Sequence, residues 1–345
     1  MPNIHETRSM RGFSLLEVVI AATILLVMIM AVTTLMISGQ DAAKYAERMN
    51  RATEITQDLA DDMRNEVRSA VRLFGNDVTG LAYKARLESW ALAPTLASTL
   101  PTIATTDTFK KDVAGNAKTG NELVFAKHAW SAEYTTPTNS RSLRYDVFRI
   151  VHYYLKAEDG GPQPGRSTGL NLVRWVSEPL VDANAIDAIT DPTDHQELLV
   201  HLLSGSPDAQ GVSHPRLEVV WKLGEDPATV GTLRQIVAGG ALSDVPGLPR
   251  PPAWTILVDP AKSSNGLLFI RHHSLATNFS QSSYGIGRFA IPNSAGDGFP
   301  HGMEVQIIGP AAARQVLVRL AVVSTNRHGH TAFASQQMVV DARDL

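Results

Sequence analysis

The hydrophobic pattern along this chain changes character three times. Residues 18–37, VVIAATILLVMIMAVTTLMI, are apolar or weakly polar throughout and carry no charge. At 1.5 Å per residue the run matches the ~30 Å hydrocarbon core of a bilayer, which predicts one membrane-spanning helix. Beyond it Tyr45, Met49, Ala52, Ile55, Leu59, Met63, Val67, Val71 and Phe74 recur every three or four residues. Charged residues from Lys44 to Arg72, Glu66 among them, fill the gaps, and no proline interrupts. The spacing predicts an amphipathic helix that continues the first to about Phe74, where Gly75-Asn76-Asp77 supplies a stop. A helix from Phe13 to Phe74 would be roughly 90 Å long by the same rise. Its apolar stripe is expected to cover the chain's own sheet, because the spacings drift instead of holding the heptad of a coiled coil.

After a Thr- and Ala-rich loop around 91–120, apolar and β-branched runs alternate with Gly, Pro, Asn and Asp clusters. Strands are predicted at 122–130, 145–155, 170–176, 198–203, 217–223, 254–258, 267–271, 304–308, 316–324 and 333–340. The 145–155 segment is apolar on both sides of the pleat, so both faces of the sheet are expected to be partly covered. Residues 245–252, VPGLPRPP, cannot sit inside a sheet and predict a surface loop or a hinge between lobes. A long helix packed on a mostly antiparallel sheet is an α+β fold.

Composition removes several functions. Lys and Arg total 31 against 34 Asp and Glu, which leaves no basic footprint, and no nucleic-acid partner is expected. The absence of cysteine rules out disulfides, thiolate metal sites and cysteine nucleophiles.

Ahead of the apolar run lies a polar leader with Arg8 and Arg11, whose charge predicts a cytoplasmic N-terminus and export of everything beyond Ser38. The run is too long for a secretory signal peptide, and no A-x-A cleavage site follows it. A signal anchor explains the run but leaves Glu17, a carboxylate at the edge of the membrane helix, without a purpose. The segment reads Arg11-Gly12-Phe13-Ser14-Leu15-Leu16-Glu17-Val18. Here the sequence resembles the type IV prepilin and pseudopilin family, in which a dedicated peptidase cuts after glycine and methylates the new amino terminus. The resemblance implies that Gly12 ends the leader, that Phe13 is the methylated N-terminus, and that Glu17 sets subunit register by neutralising the amine of a neighbour. Its length and layout resemble the larger minor subunits, the J-type pseudopilin of type II secretion or the W-type minor pilin. The implied organisation is a leader at 1–12, a transmembrane and filament-core helix at 13–40, an amphipathic helix at 41–75 and a periplasmic β-rich domain at 76–345. The implied partners are the prepilin peptidase, other pilin or pseudopilin subunits, the inner-membrane assembly platform with its ATPase, and membrane lipid.

No catalytic frame stands out. His272-His273, His301, His328 and His330 lack zinc-ligand spacing, and neither a G-x-S-x-G elbow nor a Walker loop is present. No catalytic residue, metal site or cofactor is therefore expected. Asp182, Asp187, Asp191, Asp194 and Glu197 could offer oxygens to Ca²⁺, but without the spacing of a calcium loop. The sequence thus predicts a structural subunit that starts or caps a pilus-like or secretion filament, single-pass in the bacterial inner membrane with its domain in the periplasm. The competing prediction is a membrane-anchored binding protein for a secreted substrate, carbohydrate or DNA, with Trp130, Trp175, Trp221 and Trp254 as candidate site residues.

Overall fold

The computed structural model describes residues 14–90, 99–104, 109, 119–157, 170–227, 229–244, 268–275, 303–325 and 331–344. The chain divides into two compact units, Met1–Asn50 and Arg51–Leu345. Helix α1 (Leu15–Arg68) supplies all the regular structure described in the first unit and continues into the second.

The helix stops at Arg68, six residues short of the predicted end. Ser69 turns its N–H and its hydroxyl onto the Glu66 carbonyl at 3.0 and 2.7 Å. Strand β1 (Ala70–Phe74) then pairs antiparallel with β3 (Leu123–Thr135). Val71 and Phe74 continue the three-to-four spacing by coincidence, and the ladder with β3 offers their backbone what a further helical turn would have offered. Asp77 caps α2 (Val78–Trp90) by accepting from Gly80 N–H at 2.8 Å. Gly75-Asn76-Asp77 therefore starts a second helix that the sequence reading did not include.

The sheet continues through β2 (Ile103–Ala104), β4 (Ser142–Ala157), β5 (Leu170–Val176), β6 (Leu180–Asp182), β7 (Val219–Trp221), β8 (Leu233–Val237) and β9 (Ala241–Asp244). It ends with β10 (Leu268–Leu275), β11 (Met303–Ile308), β12 (Arg314–Thr325) and β13 (Thr331–Ala342). The strands form one hydrogen-bonded network in the order β2-β11-β12-β10-β5-β4-β6-β7-β8-β9, with β3 joining β1 to β4 and β13 lying on β12. Only β2–β11 and β6–β7 pair in parallel among the described strands. The fold is α+β with a mostly antiparallel sheet.

One expected strand is a helix. Residues 198–203 lie in α4 (Pro192–Ser204), where Asp191 accepts from Thr193 and Asp194 N–H, Pro192 occupies the first turn and Gly205 closes the end at φ 65°. Those are the ordinary helix start and stop signals. Leu198, Leu199 and Leu202 face inward together with α3 (Ala183–Asp187), which the sequence reading also omitted. The strand expected at 254–258 and the proline loop at 245–252 lie outside the described residues.

Both faces of the sheet are covered. Alternate residues of β3 and β4 divide between two cores, with Leu123, Phe125, Val151 and Tyr153 on one side and Val124, Ala126, Ile150 and Tyr154 on the other. The first core takes Ala52, Leu59, Ala60, Met63 and Val67 of α1. The second takes Phe74, Tyr83, Trp175 and Trp221, with the Trp221 indole N–H donating to the Tyr83 hydroxyl. Gly120 pairs with Val305 so closely against the 99–101 backbone that a Cβ there would fall 2.4 Å from Pro101 N.

Candidate functional site: the N-terminal helix and its anchorage

Arg8, Arg11, Gly12 and Phe13 lie outside the described residues. The description begins at Ser14, where a reciprocal pair is already formed. Ser14 N–H donates to Glu17 Oε2 at 2.9 Å, and Glu17 N–H donates to Ser14 Oγ at 3.3 Å. This is a capping box, which satisfies two of the free amides at a helix start and sets the carboxylate at the positive end of the helix dipole. Glu17 therefore has a local partner within its own chain. Ser14 was not among the predicted site residues, although the S-x-x-E spacing ahead of an apolar run was there to be read.

Downstream the helix has no buried face through residue 37. Leu16 is 68% exposed, Ile24 55% and Leu35 72%, and no residue of the most apolar window is buried. Its polar side chains turn inward onto the backbone. The hydroxyls of Thr23, Thr33 and Thr34 each donate to the carbonyl four residues back, at 2.8 Å. A helix with every backbone group paired internally and its hydroxyls folded back has the polarity a hydrocarbon environment requires. By length and composition this helix can cross a membrane once.

Within the second unit, Glu66 of α1 is the charged anchor to the sheet. Arg174 of β5 donates Nε to Oε2 at 2.9 Å and Nη2 to Oε1 at 2.6 Å, Lys127 of β3 donates to Oε1, and the Tyr153 hydroxyl of β4 donates to Oε2. Burial pushes the Glu66 carboxyl up, but the bonds from Arg174, Lys127 and Tyr153 outweigh it and bring the pKa down to about 2. Burial and the carboxylate together hold the Tyr153 hydroxyl well above its ordinary range. One side chain thereby ties the helix to three adjacent strands, and a groove of about 330 Å³ opens beside it between Leu59, Met63, Tyr153 and Arg174. The sequence reading gave Glu66 only as one of the charged residues between the apolar positions, since the cations that receive it come from positions 61 and 108 residues away.

The acidic residues of 182–197 are dispersed. Asp182 caps α3 and Asp191 caps α4. Asp187 pairs with Arg234 at 2.7 Å, Asp194 is buried against Asn139 and Arg141, and Glu197 accepts from Thr138. Among the described residues, no three His, Cys, Asp or Glu side chains converge as a metal-holding group. Of the candidate tryptophans, Trp175 and Trp221 are core, Trp130 stacks on His214 with ring centroids 5.4 Å apart, and Trp254 lies outside the described residues. His301, His328 and His330 lie outside the described residues as well, and His272 and His273 are placed only as backbone in β10.

Two further polar groupings were not legible. Glu122 and His152 are buried with Lys84 beside them, Lys84 Nζ at 3.2 Å and His152 Nε2 at 3.6 Å from Glu122 Oε2. Asp208 organises the loop after α4, accepting from Gln210 and Val212 N–H and meeting His214 Nε2 at 3.0 Å, a contact that holds its carboxyl below the usual range. Both arrangements hold the domain's own elements together. No family model, no curated protein and no solved structure matches this chain.

Proposed function

We propose that this chain is a pilin-like structural subunit, made as an inner-membrane precursor, cut between Gly12 and Phe13, methylated at Phe13, and packed through α1 into a pilus-like or type II secretion filament. The observation that carries the reading is the exposed apolar helix that begins at Leu15 behind its Ser14 cap, just past the Gly12-Phe13 bond, with a carboxylate in its first turn. An apolar surface of that extent needs a continuous apolar environment, and lipid before assembly and neighbouring helices after it both supply one. The Glu17 carboxylate keeps Oε1 available while Oε2 accepts from Ser14, so a neighbour's amine can be bound without undoing the cap. A start-or-cap role in such a filament, with a peptidase and an assembly platform as partners, is part of the same proposal. The tethered-binder alternative has less support, since two of its candidate tryptophans are core.

The test is the mass of the N-terminal peptide from membrane-expressed protein, with and without a co-expressed prepilin peptidase. A peptidase-dependent peptide starting at N-methyl-Phe13 is expected. An intact Met1 or Pro2 terminus under both conditions leaves a signal-anchored domain and sinks the proposal. Glu17→Val is expected to leave synthesis and cleavage intact while abolishing incorporation into filaments.

A further inference from the structure

Strand β3 outruns its neighbour on one side. β1 pairs with it only from Val124 to Lys127, whereas β4 accompanies it to Thr135. On the side away from β4, the His128 N–H donates to Ser69 O at 3.2 Å and the Glu133 carbonyl accepts from Ala209 N–H at 2.8 Å. In an antiparallel ladder successive residues turn their N–H and C=O alternately toward the neighbouring strand and away from it. Glu133 faces away, as its bond to Ala209 requires, and Thr136, which donates to Arg141 O at 2.9 Å, faces β4 in step with that alternation. Ser131 lies two residues before Glu133 on a regular stretch of the ladder and therefore faces away as well. Its N–H and C=O, and the Glu133 N–H, have no partner among the described residues. Both residues are exposed.

This open edge borders a groove of about 400 Å³ that Gln210, Val212 and His214 of the loop after α4 also line. The loop is held in shape by its own bonds. Asp208 N–H donates to Val212 O at 2.9 Å, and His214 is stacked on Trp130. Glu133 meets the Gln210 amide at 3.3 Å and no cation among the described residues. Glu133, Asp146 and Asp208 stand around the groove against Arg144 and His214, with Arg144 3.7 Å from Asp146, which leaves the groove acidic whether or not His214 is protonated. An unpaired strand edge is completed by another extended backbone, and an acidic one favours a base on the added strand. The same charge disfavours a phosphate or an acidic sugar. We propose that the open stretch of β3 takes an extended basic segment of another protein as a short added strand, backbone to backbone with Ser131 and Glu133 and with a lysine or arginine against the Glu133 carboxylate. Val212, 52% exposed, offers an apolar contact to an alternate side chain of that strand. The groove lies wholly within the second unit, so the inference is independent of the filament reading.

The probe is a short fluorescent peptide of alternating valine and lysine, capped at both ends, titrated against the full-length chain in neutral detergent micelles and read by anisotropy. Saturable binding is expected, several-fold tighter than that of the matching valine–glutamate peptide and weakened by salt. Two analogues, N-methylated on alternate residues in the two possible phasings, separate strand addition from charge attraction. One loses the N–H groups that face β3 and is expected to bind several-fold more weakly than the other, which loses only those facing away. Glu133→Lys, at an exposed side chain, is expected to turn the preference toward the valine–glutamate peptide. Absence of binding to the unaltered chain, equal binding of the two phasings, or a preference unchanged by Glu133→Lys overturns the proposal. So does self-association of the unaltered chain that Glu133→Lys abolishes, because the groove then belongs to a second copy.

Discussion

The two ends of α1 are built from the same residue types and meet opposite fates. Residues 15–37 leave every large apolar side chain exposed, whereas Ala52, Met63 and Val67 are wholly buried. The later turns are amphipathic and bury one stripe on β3, β4, β11, β12 and β13. The earlier turns are apolar all round, and no single sheet could cover them. Burying such a side chain is worth ~1.5–3 kcal/mol, so the first stretch calls for lipid or other helices and the second is satisfied within the chain. Charge follows the same division. Glu17 is served by its immediate neighbour in the helix, Glu66 by three strands.

The comparison breaks most readily at Glu66. Glu66→Ala leaves Arg174 and Lys127 half-buried without their carboxylate, and the domain is expected to lose ~3–5 kcal/mol. Urea unfolding of the detergent-solubilised chain, followed by fluorescence of the buried Trp175 and Trp221, reads that loss. Acid should reproduce much of it. The folded pKa of about 2 lies below the ordinary 4.5, so the contribution is fully present above pH 4.5 and disappears as pH falls through 2. The linkage amounts to roughly 3 kcal/mol, and it should be absent from the acid titration of Glu66→Gln. A smaller effect is expected at Gly120→Ala, where the new Cβ meets Pro101 N and Thr99 O and forces the backbone apart at a cost of ~1–3 kcal/mol. Smallest is Ser14→Ala, worth ~1 kcal/mol of local helix stability. It should speed amide exchange in the first turn and leave the urea midpoint unmoved, as should Leu26→Ala. A shift of that midpoint by either substitution would contradict the division between locally and tertiarily determined turns.

The apolar run and the strongest β segments depend on local composition and on a period of two or 3.6, so they could be read directly. Strand β5 coincides with its predicted span, and β11 and β12 differ from theirs by one or two residues. The misreadings share a cause. At 198–203 the run LLVHLL fits strand or helix alone, and the flanking Asp191-Pro192 and Gly205 decide for helix. At 70–74 the spacing favours helix, and a ladder to residues fifty or more positions away decides for strand.

The sequence by itself determined a helix fit for hydrocarbon near the N-terminus, with Ser14 and Glu17 spaced to cap it, and a mostly antiparallel set of strands after it. Those features follow from interactions within one or two turns or along one strand. Only the tertiary structure decided where α1 ends, that Glu66 faces inward, and that Trp175 and Trp221 are core. Each of these depends on which distant segments are brought together: β3, β4 and β5 for Glu66, α2 and β7 for the tryptophans. A charge with three donors across the sheet and a charge in water look alike along the chain. They differ only once those donors have been folded into place.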